Sequence, residues 1–171
     1  AGIALLALAR RERRAEFLLL ADRTGALGEA EALALVRDAS AGVAELLVSV
    51  LAESQRSPEV IERWLGAALK HPHAQVRRAV LAAAEQRGGG LAERIGYLGL
   101  RDSDDGVRLA ALDALGSSRR REVVAALAGV LEDGSGSEQR RAAEALGRLG
   151  VVEALGPLRK VLAGRRLLSF R

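Results

Sequence analysis

From Ser57 to Ala163 apolar residues recur at helical spacing, and the pattern itself returns every 31 residues. Three copies make the period visible: Val76-Arg77-Arg78-Ala79-Val80-Leu81-Ala82-Ala83-Ala84, then Gly106-Val107-Arg108-Leu109-Ala110-Ala111-Leu112-Asp113-Ala114-Leu115-Gly116, then Glu138-Gln139-Arg140-Arg141-Ala142-Ala143-Glu144-Ala145-Leu146-Gly147. Leu69, Leu100, Leu131 and Leu162 share one column, and Leu65, Gly96, Leu127 and Leu158 another. Val80, Ala111 and Ala142 align, as do Ala84, Leu115 and Leu146, and Ala83, Ala114 and Ala145 are small in every copy. The pattern predicts leucine columns buried at equivalent sites and close helix contacts at the small ones.

Local signals place the helices. Residues 1–21 read as a helix that caps the stack and ends at Asp22-Arg23-Thr24-Gly25. A divergent first pair covers 28–39 and 42–54. Ser57-Pro58-Glu59 supplies an N-cap and a first-turn proline, and the helix it opens ends before Pro72. The next helix runs from Ala74 to Arg87 and stops at Gly88-Gly89-Gly90. Further helices follow at 91–101, 104–116, 119–132, 137–149 and 151–163. The short connections make neighbouring helices antiparallel. The fold class read from this is all-α: an α-solenoid of stacked antiparallel helix pairs in one domain. Residues 1–56 form the capping helix and divergent repeat, 57–163 the regular repeats and 164–171 a basic tail. The chain opens on Ala1, lacks methionine and keeps the register into its last helix, which suggests a piece of a longer protein.

The stretch Asp105–Gly116 resembles a HEAT repeat, and Glu138–Gly150 does so again. The resemblance covers about 58–163, and the short period is similar to the HEAT-like repeats of phycobilisome lyases. It implies a polar ladder between adjacent turns, built from an acid in the intra-repeat turn and an Arg early in the second helix. The matching positions here are Asp102 with Arg108, His71 with Arg77, and Asp133 with Gln139 in place of Arg.

Composition narrows the chemistry. With no Cys there is no disulfide, no thiol nucleophile and no thiolate metal site, which fits a cytoplasmic compartment. The sequence pI of 10.5 looks strongly basic, yet 26 cations stand against 22 anions. Nearly all the cations are Arg, the residue suited to bidentate carboxylate pairing and favoured by a GC-rich bacterial genome. No segment is long enough to span a membrane by itself, although Ile3–Ala9 ahead of Arg10–Arg14 has the order of a transmembrane helix end with a basic flank. On that alternative the chain is the cytoplasmic interaction domain of a membrane-anchored protein.

No motif carries catalytic chemistry. His71-Pro72-His73 lacks the further ligands a metal needs, and the acidic turn Asp102–Gly106 lacks a calcium loop's twelfth-position carboxylate. Ser103 or Asp104 is better read as an N-cap. Neither enzyme activity nor a cofactor or metal is expected.

Two surfaces remain. The second helices carry a column Arg78, Leu109 and Arg140 with Asp113 and Glu144 one turn on, mixed in charge as a protein partner requires. The inter-repeat turns gather Arg87, Arg119, Arg120, Arg121 and Arg148 on one edge, opposite Asp102, Asp104, Asp105, Glu132 and Asp133. A basic edge can meet phosphates. The leading reading is a non-enzymatic scaffold or adaptor that binds a protein. The alternatives are nucleic-acid binding, as in HEAT-like DNA glycosylases, and a lyase-like role on a bound chromophore, which the resemblance alone suggests.

Overall fold

The computed structural model describes residues 15–37, 40–118, 120 and 122–168. The apolar run Ile3–Ala9, with its reading as the end of a transmembrane helix, lies outside the described residues, as do Arg119 and Arg121. The chain divides into two compact units, Ala1–Arg87 and Gly88–Arg171. Among the described residues every regular element is helical.

The first unit holds α1 (Ala15–Arg23), α2 (Glu29–Val36), α3 (Ala41–Glu53), α4 (Pro58–Ala68) and α5 (Ala74–Arg87). Helix α1 packs on α3, α2 packs on α3 and α4, and α3 packs on α5, which gives two layers of alternating helices. Leu18, Leu47, Leu51, Ile61, Trp64, Leu65 and Leu81 fill the space between them. Pro58 opens α4 with its φ already set, and the Ser57 main-chain oxygen accepts from Val60 and Ile61. The Ser57 hydroxyl makes no capping bond, so proline and backbone, not the side chain, start this helix.

The second unit holds α6 (Gly89–Gly99), α7 (Asp105–Gly116), α8 (Glu122–Asp133), α9 (Gly136–Leu149), a 3-10 turn (Val152–Ala154) and α10 (Leu155–Leu168). Helices α6 and α7 pair, α8 and α9 pair, α7 packs on α9, and α10 packs on α8. Leu112, Leu115, Val123, Leu127, Ala142, Ala145 and Leu146 form its core. No described helix is long and apolar enough to cross a membrane.

The columns at the 31-residue period are structural columns. Val80, Ala111 and Ala142 are buried, as are Ala84, Leu115 and Leu146. Gly96 interrupts the Leu65/Leu127 column for a steric reason. A Cβ there would stand 2.8 Å from Leu115 Cγ, so the larger residue on α7 occupies the volume that a side chain on α6 would need.

Four expectations are corrected. In the first leucine column only Leu131 is fully buried; Leu69 and Leu100 are half-buried, and Leu162 is 63% exposed, because no described second helix covers that face of α10. The triglycine is not all turn. Gly88 alone separates α5 from α6, at φ 69°, while Gly89 and Gly90 begin the next helix. Residues 164–168 of the expected tail continue α10. Residues 152–154 form a 3-10 turn ahead of that helix.

Candidate interaction surface

The polar side chains of the turns are largely committed to the fold. At the start of α5, α7 and α9 one side chain returns to the end of the preceding helix. Arg77 Nη1 donates to the main-chain oxygens of His71 (2.8 Å) and Pro72 (3.0 Å), Arg108 Nη1 to those of Asp102 (2.9 Å) and Ser103 (3.3 Å), and Gln139 Nε2 to that of Glu132 (3.3 Å). These carbonyls lie in the last turn of a helix or just past it and lack intrahelical donors, so a cation or amide there satisfies them. Gln139 therefore keeps the donor role of the arginine it replaces.

Arg108 also joins repeats. Its guanidinium pairs with Asp105 on its own turn, and its Nε reaches Glu138 Oε1 at 2.6 Å. Glu138 closes a capping box: its Oε2 accepts from the Ser135 N–H at 2.8 Å, and its own N–H reaches Ser135 Oγ at 3.4 Å. The Arg108 guanidinium, with the Ser135 hydroxyl and N–H, holds the Glu138 carboxyl down to about 2. Asp104 caps α7 by accepting from the Val107 N–H at 3.0 Å. The Ser-x-x-Glu spacing at 135–138 was a legible signal for the box.

The inter-repeat turns carry a second device, used once in each unit. Ser54 Oγ donates to the buried Asp22 carboxylate at 2.7 Å and accepts from the Arg56 N–H at 3.3 Å, while the Arg56 guanidinium pairs with the same carboxylate. Ser118 Oγ donates to the buried Glu93 at 2.5 Å and accepts from the Arg120 N–H at 3.1 Å, and Arg120 Nη1 stands 3.5 Å from Glu93. The Ser-x-Arg turn is common to both. The acid lies 32 residues upstream in one and 25 in the other, so the repeat period does not point to it.

The proposed basic edge is therefore not a row of bare charges. Arg87 Nη1 donates to the main-chain oxygens of Leu51, Ala52 and Ser54, at the end of α3. Arg120 faces Glu93 and Glu122. Arg148 Nη2 lies 3.0 Å from Asp113.

That last pair links the two surfaces read from the sequence. Asp113, half-buried on α7, takes Arg148 on Oδ1 at 3.0 Å and Arg141 on Oδ2 at 3.2 Å, both from α9. Arg141 Nε also stands 3.9 Å from Glu144. Leu109 is half-buried and packs against the core of the second unit. Arg140 is exposed and makes no ion pair among the described residues, and Arg78 is exposed on α5 in the first unit. Arg141 was missed from the sequence, although its i, i+3 relation to Glu144 was visible.

The histidine turn is an internal structure as well. His71 is buried, its Nδ1 accepts from the His73 N–H at 3.1 Å, and the two rings lie 5.3 Å apart. No group of three or more His, Asp or Glu that could hold a metal occurs among the described residues.

A family model describing HEAT repeats matches residues 93–166. A comparison with curated proteins finds no match to this chain.

Proposed function

With residues 93–166 belonging to the HEAT repeats, a family that is typically non-enzymatic and generally mediates protein–protein interaction, we propose that this chain is a non-enzymatic scaffold or adaptor module. Its binding face in the second unit is the second-helix surface of Leu109, Asp113, Arg140 and Glu144, extended by Arg141 and Arg148, and Arg78 is the equivalent exposed position in the first unit. The observation that carries this reading is the Arg148–Asp113–Arg141 network. It draws one arginine of the basic edge onto the second-helix face and balances it with carboxylate. A surface of alternating sign with Leu109 beside it offers registered ion pairs and some apolar burial to a folded protein. It offers little to a polyanion, whose binding depends on uncompensated cations.

The test is charge reversal. The double variant Arg78→Glu, Arg140→Glu leaves every ion pair described above intact, so the fold is retained and binding of the protein partner is lost. Retention of that binding by the folded double variant overturns the assignment of this face.

A further inference from the structure

In the first unit a cleft of about 360 Å³ opens where the ends of α2 and α4 meet the turn into α5. Its walls are Val36, Arg37, Ala67, Lys70, His71 and Pro72. The size falls at the lower end of small-molecule sites, roughly 300–1,000 Å³. Packing of α2 on α4 assembles it, and no local motif joins Arg37 to Lys70. One wall is held in place by the fold. Arg77 donates to the main-chain oxygens of His71 and Pro72, and the buried His71 accepts from the His73 N–H.

Among the described residues two cations line this cleft and no carboxylate does. Arg37 is the C-cap of α2, and Lys70 follows Leu69, the C-cap of α4. Both are exposed, and neither side chain makes a hydrogen bond or ion pair among the described residues. They differ in this from Arg56, Arg87, Arg108, Arg120, Arg141 and Arg148, each engaged by carboxylates or carbonyls of the fold. A helix C-terminus favours a cation, which accounts for one at each end. It does not account for two uncompensated cations on a single concavity. A second cleft of the same unit, of about 350 Å³, is balanced: Arg23 and Arg56 are matched there by Asp22 and Glu53.

We propose that this cleft binds a small phosphate monoester, its head held by Arg37 and Lys70 and a short apolar body set against Val36, Ala67 and Pro72. A monoester carries about −1.5 to −2 charge at pH 7 and so answers both cations, where a carboxylate answers one. Arg37 offers a planar fork that takes two phosphate oxygens, and Lys70 a mobile point charge. The C-terminal ends of α2 and α4 bring partial negative charge to the same place. Both cations are needed to overcome it, so loss of either one weakens the site. A wall already tied down by Arg77 loses little freedom on binding. Nucleic acid fits less well, because each diester carries a single charge and affinity grows along a track of cations. This cleft holds two.

The cleft shares no residue with the protein-binding face assigned above, so the two assignments fail separately. The test is isothermal titration calorimetry on the whole chain at about 0.15 M salt. The probes are phenyl phosphate, inorganic phosphate, benzoate and a phosphoserine peptide. Phenyl phosphate is expected to bind at one site, with inorganic phosphate and benzoate each weaker by about tenfold or more. Arg37→Gln and Lys70→Gln replace exposed side chains, so both variants keep the fold by circular dichroism. Each weakens phenyl phosphate binding by about tenfold or more. Arg140→Glu, in the second unit, leaves it unchanged. The proposal is overturned if phenyl phosphate does not bind, if inorganic phosphate or benzoate binds as tightly, or if either Gln variant binds as wild type. Tighter binding of the phosphoserine peptide than of phenyl phosphate, lost on Lys70→Gln, overturns it in favour of a phosphorylated protein.

Discussion

Glu138 receives the Arg108 guanidinium of the preceding repeat at 2.6 Å while it closes the start of its own helix through the Ser135 N–H at 2.8 Å. One carboxylate thus joins neighbouring repeats and satisfies an orphan donor at a helix N-terminus. Both bonds favour the charged form, which is why its pKa falls from 4.5 to about 2.

The sign of the pH effect follows. A carboxyl whose pKa is depressed in the folded state binds its proton more readily when unfolded. Its contribution is fully present above pH 4.5 and is lost as pH falls towards about 2. Glu138→Gln is expected to lower the melting temperature at neutral pH, with a loss of about 1 kcal/mol from the cap. The gap between variant and wild type should close below pH 4.5, as acid neutralises Glu138 in the wild type and leaves it no more charged than the Gln variant. A gap that stays constant down to pH 2 contradicts the linkage.

Loss of either inter-repeat serine leaves a buried carboxylate one donor short. Ser54→Ala and Ser118→Ala are each expected to cost about 1–3 kcal/mol in urea unfolding. Ser49→Ala is the control: Ser49 is exposed, and its hydroxyl bonds only to Leu46 within its own helix, so its effect stays near zero. Equal stability of all three variants contradicts the role given to the Asp22 and Glu93 sites.

Packing predicts opposite signs for two glycines. Gly96→Ala brings a Cβ within 2.8 Å of Leu115 Cγ and is expected to destabilise by about 1–3 kcal/mol. Gly129→Ala, in open space inside α8, is expected to stabilise by roughly 0.5–1 kcal/mol. Leu112→Ala, at a fully buried site, is expected to cost about 2–5 kcal/mol. A Gly96→Ala protein as stable as wild type contradicts the close approach of α6 to Leu115.

The fold was readable because 31-residue periodicity repeats the same burial decision several times. Ala84, Leu115 and Leu146 each inherit their environment from the repeat, and all three are buried. Leu162 shares its column with Leu131 but not its neighbours, so the column predicts a burial that no described helix supplies at α10. The candidate surface was less legible for a related reason. The sequence assigns Asp113 and Arg148 to separate surfaces, since they lie 35 residues apart and outside the period. Only packing of α7 on α9 brings them together, and it also adds Arg141. The Glu93–Ser118 contact joins a first helix to a turn at a spacing no motif encodes, whereas the capping box at 135–138 was local and could have been read directly.

The claim that this chain binds protein and not nucleic acid is tested most directly by titrating labelled duplex and single-stranded DNA into the whole chain across a salt series. The account predicts negligible retention at about 0.15 M salt, because Arg87, Arg120 and Arg148 are held by carbonyls and carboxylates of the fold. Micromolar affinity at that salt, falling steeply as salt rises and removed by replacing Arg119, Arg120 and Arg121 while Arg78→Glu with Arg140→Glu leaves it intact, would contradict the account and make the basic edge the functional surface.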